Sequence, residues 1–362
     1  MFLQDSDIAT PAAAAAPSHF PCSGCGAALT FEPGAGRMSC GHCGFANLLP
    51  QRAEDIPELD YHAELLRHAE LAEQVTHASL HCAGCGAELM PPAGFMAGSC
   101  PFCDLPFVGQ PRRSRSPKPA GMLPFCVTRE QALESFRRWL ASLWMAPSGL
   151  ARQACQAQRL QGVYLPYCVF SCVATSFYSG QRGRRHTGHD GKEQISWRPV
   201  IGWVKDVLDH VLVPAAGARS AEALAAVGPW DLARLEPYDE RCVSGYLAES
   251  STLQPDEAFQ AARRVMDERI ALSVRAAIGG HEQRIGEIKS QYEHIQFKHI
   301  LLPVWVSSYR FRDQAYRLII NGRTAAVHGD RPHDSLKIIL AGAAGLAAAS
   351  GLGLLLTSLL QE

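Results

Sequence analysis

The chain has 362 residues, 47% of them hydrophobic, enough for roughly two or three domains of about 150 residues with filled cores, which excludes a disordered chain. Its 34 basic and 35 acidic residues nearly cancel, so no whole-chain field draws it to DNA or RNA, and a nucleic-acid contact would have to be local. Thirteen cysteines would fit a secreted disulfide scaffold only in a short chain behind a signal peptide.

Residues 1–20 are rich in Ala and Pro, with two aspartates, no Lys or Arg and no leucine-rich core. They read as a disordered leader and not a signal peptide, and the cysteines as reduced thiols in the cytoplasm.

Two cysteine devices follow. Cys22, Cys25, Cys40 and Cys43 sit in residues 21–49, and Cys82, Cys85, Cys100 and Cys103 in residues 81–109, each set spaced C-x2-C-x14-C-x2-C. A tight turn between two cysteines, with a small residue such as Gly26 or Gly44 after it, points both thiolates at one ion. Two such turns supply the four sulfurs of a tetrahedral site with bonds of about 2.3 Å. The pattern predicts two zinc ribbons holding two zinc ions in closed, structural sites. Iron in a rubredoxin-like site is the alternative at the same residues. The first ribbon carries only Glu32 and Arg37 as formal charges, and the second only Glu88 and Asp104. Without basic residues to neutralise phosphates, the ribbons suit a protein partner better than nucleic acid.

Between the ribbons, residues 50–80 read as a helical connector, with an amphipathic pattern over 56–80. His62, His68 and His77 on it are expected to be exposed helix residues and not ligands of a third ion. Residues 110–121, with Arg112, Arg113, Arg115 and Lys118, read as a basic linker.

Residues 122–335 are predicted to form an α+β domain. A helix is expected over 129–145, with Ala132, Phe136, Trp139, Leu140 and Leu143 on one stripe. Strands are expected in LQGVYLPYCVFSCVATSFYSG and QISWRPVIGWVKDVLDHVLVP, joined by a hairpin tip over 180–192. That tip holds the most basic patch of the chain, Arg182, Arg184, Arg185 and Lys192, the candidate nucleic-acid contact. A helix is predicted over 255–278, then two strands, with Asn321-Gly322 as the turn signal after the second. YLPYCVFSCV from Tyr164 and LLPVWVSSYR from Leu301 look like two related β-units, each entered through Leu-Pro after a charged helical or loop segment. Cys168 and Cys172 share a strand face about 13 Å apart, too far to bridge, and with Cys126, Cys155 and Cys242 they read as core thiols.

Residues 338–360 run for 23 positions without a charge. About 20 such residues span a bilayer core, so a transmembrane helix is expected. Arg323, Arg331 and Lys337 precede it and nothing positive follows, which predicts a single C-terminal span in the inner membrane with the soluble part in the cytoplasm. Gly342, Gly345, Ala349 and Gly353 offer small-residue spacing for self-association.

No sequence feature nominates a catalytic residue. Gly191-Lys192 is followed by glutamate, so there is no nucleotide-binding P-loop, and no metalloprotease helix or nucleophile elbow is found. The expected function is a non-enzymatic, membrane-anchored adaptor or scaffold. The alternatives are a nucleic-acid-binding protein at the membrane and an iron electron-transfer protein.

The order of ribbon pair, LPF at 123–125, FRRWL at 136–140, GVYLPY at 162–167, LLPVWVSSYRF at 301–311, INGRTAAVHGDRP at 320–332 and an apolar tail resembles an uncharacterised bacterial family of zinc-ribbon membrane proteins. Its members are often labelled primosomal replication helicase-like. The resemblance implies this architecture, but the absent P-loop argues against helicase or ATPase activity. Cys168 and Ala325 stand where relatives are expected to carry Trp and Gly.

Overall fold

Two antiparallel strands, β11 (Gln161–Thr187) and β15 (Glu282–Phe311), form the axis of the molecule. The computed structural model describes residues 20–49, 56–69, 74–90, 97–108, 112–143, 146, 147, 150, 160–187, 192–215, 227–251, 253–311 and 314–331. The two Leu-Pro units meet here: Tyr164 lies opposite Pro303, Leu165 opposite Leu302 and Pro166 opposite Leu301. The two Leu-Pro segments are thus neighbouring antiparallel strands, and Val163, Leu165, Val304 and Val306 are fully buried around that junction.

In chain order, the first ribbon holds β1 (Leu29–Glu32), β2 (Arg37–Cys40) and β3 (Ala46–Leu48) as its own three-stranded sheet. Then come β4 (Leu59–Asp60), α1 (Tyr61–Ala69) and β5 (Gln74–His81). The second ribbon holds β6 (Glu88–Met90), β7 (Ala97–Ser99) and β8 (Pro106–Val108), and is followed by β9 (Arg112–Pro117) and β10 (Gly121–Met122). The connector is therefore not one helix: α1 ends at Ala69, and β5 pairs antiparallel with β9. The basic stretch read as a linker is that partner strand, and its backbone hydrogen bonds are made to β5.

Helix α2 (Arg129–Ser142) opens with a capping box in which Gln131 N donates to Thr128 Oγ1 and Thr128 N donates to Gln131 Oε1. Ala132, Phe136 and Leu140 are buried, as the stripe requires. β12 (Glu193–Pro214) returns along β11 as a long hairpin. The tip is narrower than the sequence suggests, since Arg182, Arg184 and Arg185 belong to β11. β13 (Glu236–Pro237), α3 (Glu240–Val243) and β14 (Leu247–Glu249) lead to α4 (Pro255–Ile278), which has the predicted boundaries. Gln254 N donates to Glu257 Oε2 at its start, and Phe259, Met266, Ile270 and Val274 pack it onto Phe170, Cys172 and Ala174 of β11. β16 (Gln314–Asn321) and β17 (Val327–Gly329) close the sheet beside β15.

The charged segment before LLPVW is not helix or loop but the first half of β15. Register shifts opposite Ser179/Gly180 and Ser171/Val173 insert extra residues, so Ile285, Ile288, Tyr292 and Ile295 all turn toward α4. Each bulge changes a step of two into a step of three, and with the ordinary double step from Ile288 to Tyr292 the spacing imitates a helix in the sequence.

Asn321 forms the predicted turn from a buried position. Its Oδ1 accepts from Arg323 N and Thr324 N, and its Nδ2 donates to Val227 O. Ala325, in that turn, has φ 59°, the left-handed conformation that explains an expected glycine there. Cys168, Cys172 and Cys242 are buried, and burial pushes their thiols up to about 12, 11 and 12, so they are unreactive core groups as expected. Cys126 is only half-buried and accepts a hydrogen bond from Arg323 Nη1. Cys155 lies outside the described residues. Among the described residues no helix is long and apolar enough to cross a membrane; the 338–360 segment lies outside them.

Candidate metal centres

Each ribbon is built from two knuckles with one hydrogen-bond pattern. The residue after the second cysteine donates its amide to the carbonyl of the first: Gly26 to Cys22, Gly44 to Cys40, Gly86 to Cys82 and Asp104 to Cys100. The first cysteine's amide then donates to the next residue along, Ala27, Phe45, Ala87 and Leu105 respectively. This closure requires a left-handed residue at the donor position. Gly26, Gly44 and Gly86 have φ 75°, 73° and 77°, and Asp104 holds φ 61° in the fourth knuckle.

The knuckles bring the sulfurs together. The Sγ separations Cys22–Cys43, Cys25–Cys40, Cys82–Cys103 and Cys85–Cys100 are each 3.5 Å, and the four sulfurs of each set lie within 4.8 Å of one another. A tetrahedron with 2.3 Å bonds needs an edge of about 3.8 Å, so a small contraction or expansion around an ion completes either site. Backbone amides of Cys43 and His42 pull the Cys40 thiol down to about 6, favouring the thiolate that a metal requires. In the second ribbon the hydrogen bond between Cys100 and Cys85 brings Cys85 down to about 5 and pushes Cys100 well up. All eight predicted ligands are thus assembled as two four-sulfur sites able to hold two metal ions, an arrangement consistent with zinc.

The two sites differ in their surroundings. Cys22 and Cys40 of ribbon 1 sit in a small cluster of their own with Leu29 and Met38, while Cys25 and Cys43 are exposed. Ribbon 1 is fastened to the body by Phe31 N donating to Ser244 O, Ser244 Oγ to Leu29 O, Tyr246 Oη to Phe31 O and Gly34 N to Phe125 O. Ribbon 2 belongs to the body's own core: Cys82, Ala87, Leu89, Cys100 and Phe102 pack with Leu123, Val163 and Leu165. Strand β6 hydrogen-bonds to β14, which in turn pairs with β11. The residues that fasten ribbon 1, Ser244 and Tyr246, carry no motif and could not be found from the sequence.

Among the described residues, these cysteine sets are the groups of three or more His, Cys, Asp or Glu side chains placed to share an ion, and neither includes a histidine. His62 is exposed beside Tyr61; the side chains of His68 and His77 lie outside the described residues. The basic patch is partly engaged: Arg182 Nε donates to Ile278 O and Arg185 pairs with Glu282 at 3.0 Å.

The chain is 24% identical over 350 residues to the uncharacterized protein YdjG of Bacillus subtilis strain 168, an alignment that covers 94% of this chain and 98% of YdjG. No protein-family model and no solved structure matches. Similarity along nearly the whole length suggests an uncharacterised bacterial family, and the two four-cysteine sites of this chain fit zinc ribbons. YdjG is itself uncharacterised, so it brings no activity, partner or compartment to this chain, and nothing in it supports the primosomal label.

Proposed function

We propose that this chain is a non-enzymatic, membrane-tethered adaptor that docks a protein partner on ribbon 1, with ribbon 2 serving as a staple of the body. The observation that carries the reading is the outer edge of ribbon 1, where Cys25, Cys43 and Phe45, at 39% exposure, lie at the knuckles and Leu48, at 81%, lies at the far end of β3 opposite Arg37. The two formal charges of this ribbon neutralise each other, with Arg37 Nε 2.7 Å from Glu32 Oε2. A rigid, neutral, apolar edge has nothing to offer a phosphate and suits the core of a protein interface. The uncharged 338–360 segment is long enough to serve as the tether, and the basic residues before it favour a cytoplasmic side for the ribbons. Zinc is the assigned ion, since a four-thiolate site with no open position is its usual structural setting.

The test is capture of membrane-extract proteins by the full-length chain, purified in detergent, against a Phe45→Ser/Leu48→Ser variant. The variant should keep its metal content and thermal transition and lose the specific partner at least tenfold, as expected for about 1.4 kcal/mol or more of interface free energy. Equal capture by both proteins would remove ribbon 1 as the docking edge.

A further inference from the structure

Strand β12 is paired on one side only, by β11, and among the described residues no strand lies along its other edge. A free edge 22 residues long is an invitation to pair with another chain. One face of the β12–β11–β15 sheet is covered by α4, with Leu208 buried and Val200 and Val204 packed against that cluster. The opposite face exposes Phe177 at 54%, Ile201 at 85%, Trp203 at 63% and Val207 at 68%. Phe177 lies directly opposite Trp203, so with Ile201 these side chains form an apolar patch, and Lys205 opposite Thr175 separates it from Val207.

We propose that two copies of this chain pair antiparallel along β12 about a twofold axis through Gly202. Such an axis, perpendicular to the sheet, keeps both α4 helices on one side, so each residue must face a residue of its own sheet face. With the axis at Gly202, Ile201 faces Trp203 of the second copy and Trp197 faces Val207 on the face away from α4. On the helix side, Val200 faces Val204 and Arg198 faces Asp206. Arg198 is exposed. Asp206 Oδ1 accepts from Ser273 Oγ at 2.6 Å, and its Oδ2 is buried without a hydrogen-bond partner, a carboxylate oxygen lacking its complement. The axis therefore sets opposite charges against each other twice, and no like charges meet.

Neighbouring axes lose this complementarity. An axis at Ile201 sets Glu193 against Asp209 and Arg198 against Val204. An axis at Trp203 sets Arg198 against Leu208 and Trp197 against Asp209. Pro199 lacks an N–H, so neither of the two Pro199–Lys205 pairings made by the twofold can receive a ladder bond from it. Because the twofold pairing uses the free edge of both copies, it closes at a dimer and does not propagate.

The test places the photo-crosslinker benzoylphenylalanine at position 203 of the full-length chain in detergent, using a mixture of isotopically heavy and light copies. Crosslinked heavy–light peptides joining position 203 to residues 199–205 of the other copy are expected, and the same label at Leu272, exposed on α4, should give none. Arg198→Glu should lower the dimer yield about tenfold and Arg198→Lys should keep it, as for a charge pair across an interface. An unchanged thermal transition in both variants separates lost pairing from lost folding. Crosslinks to residues 332–362 of the same copy, to lipid or detergent, or to no polypeptide would each overturn the dimer.

Discussion

Ribbon 1 and ribbon 2 carry the same four sulfurs at the same spacing, with the same knuckle hydrogen bonds and the same 3.5 Å sulfur pairs, but only ribbon 2 puts its metal-binding cysteines into a core of the body. Ribbon 1 keeps a miniature core and an exposed knuckle edge, and it joins the body through Phe31, Leu49 and a few hydrogen bonds. Duplication of one metal-binding device has thus given a staple and a presented surface. The difference teaches that a structural metal site stabilises whatever is packed on it: a single small ribbon in one case, the centre of an α+β body in the other.

The comparison breaks most sharply at equivalent cysteines. Cys100→Ser removes a sulfur that is 1% exposed and shares a cluster with Leu123 and Val163. The free energy of such a site, on the order of 10 kcal/mol, then leaves the body as well as the ribbon. The body's cooperative thermal transition should disappear. Cys40→Ser, at the matching position of ribbon 1, should leave that transition within about 1–2 kcal/mol of wild type while one metal ion is lost. Calorimetry with metal counting on both variants checks this, and equal damage from both would erase the distinction.

Acid provides a second separation. Metal-bound cysteines are thiolates, so falling pH protonates them and expels the ion; stability from either site is present above that transition and lost below it. Ribbon 1, with Cys25 and Cys43 exposed, should release its ion at the higher pH, and ribbon 2, with Cys85 and Cys103 half-buried, at the lower. A metal-release titration should show two steps of about one ion each.

Smaller effects sharpen the picture at single residues. Tyr246 donates its hydroxyl to Phe31 O and stacks on Phe125 at 4.4 Å, so it joins ribbon 1 to the body. Tyr246→Phe keeps the stacking and should cost about 1 kcal/mol, read as faster hydrogen exchange confined to ribbon 1. Smaller still, Asp104→Gly replaces the non-glycine left-handed knuckle residue and should stabilise ribbon 2 by up to about 1 kcal/mol, measured by denaturant titration. A loss of stability would mean that the Asp104 side chain contributes more than its backbone conformation costs.

The eight ligands were legible because metal chemistry fixes residue type and spacing together. The bounds of α4 were legible because Phe259, Met266, Ile270 and Val274 repeat at helical spacing, with Pro255 at one end and Gly279 at the other. The early half of β15 was not legible, since its two bulges place Ile285, Ile288, Tyr292 and Ile295 at helix-like intervals on a strand. Strand β9 was hidden for another reason: RRSRSP has poor strand propensity, and only pairing with β5 makes it a strand. Nor could identical cysteine spacing tell which ribbon enters the core, because burial there depends on β14 and β11, far away in the chain.

The most direct measurement is a chelator challenge of the full-length, metal-loaded chain, with ions counted and hydrogen exchange followed region by region. The first ion should leave with exchange rising only over residues 20–49. The second should leave together with loss of protection in β6, β14 and the Val163–Leu165 part of β11. Release of both ions in one step, or an intact body after both have gone, would contradict a molecule in which one ribbon is presented and the other holds the core.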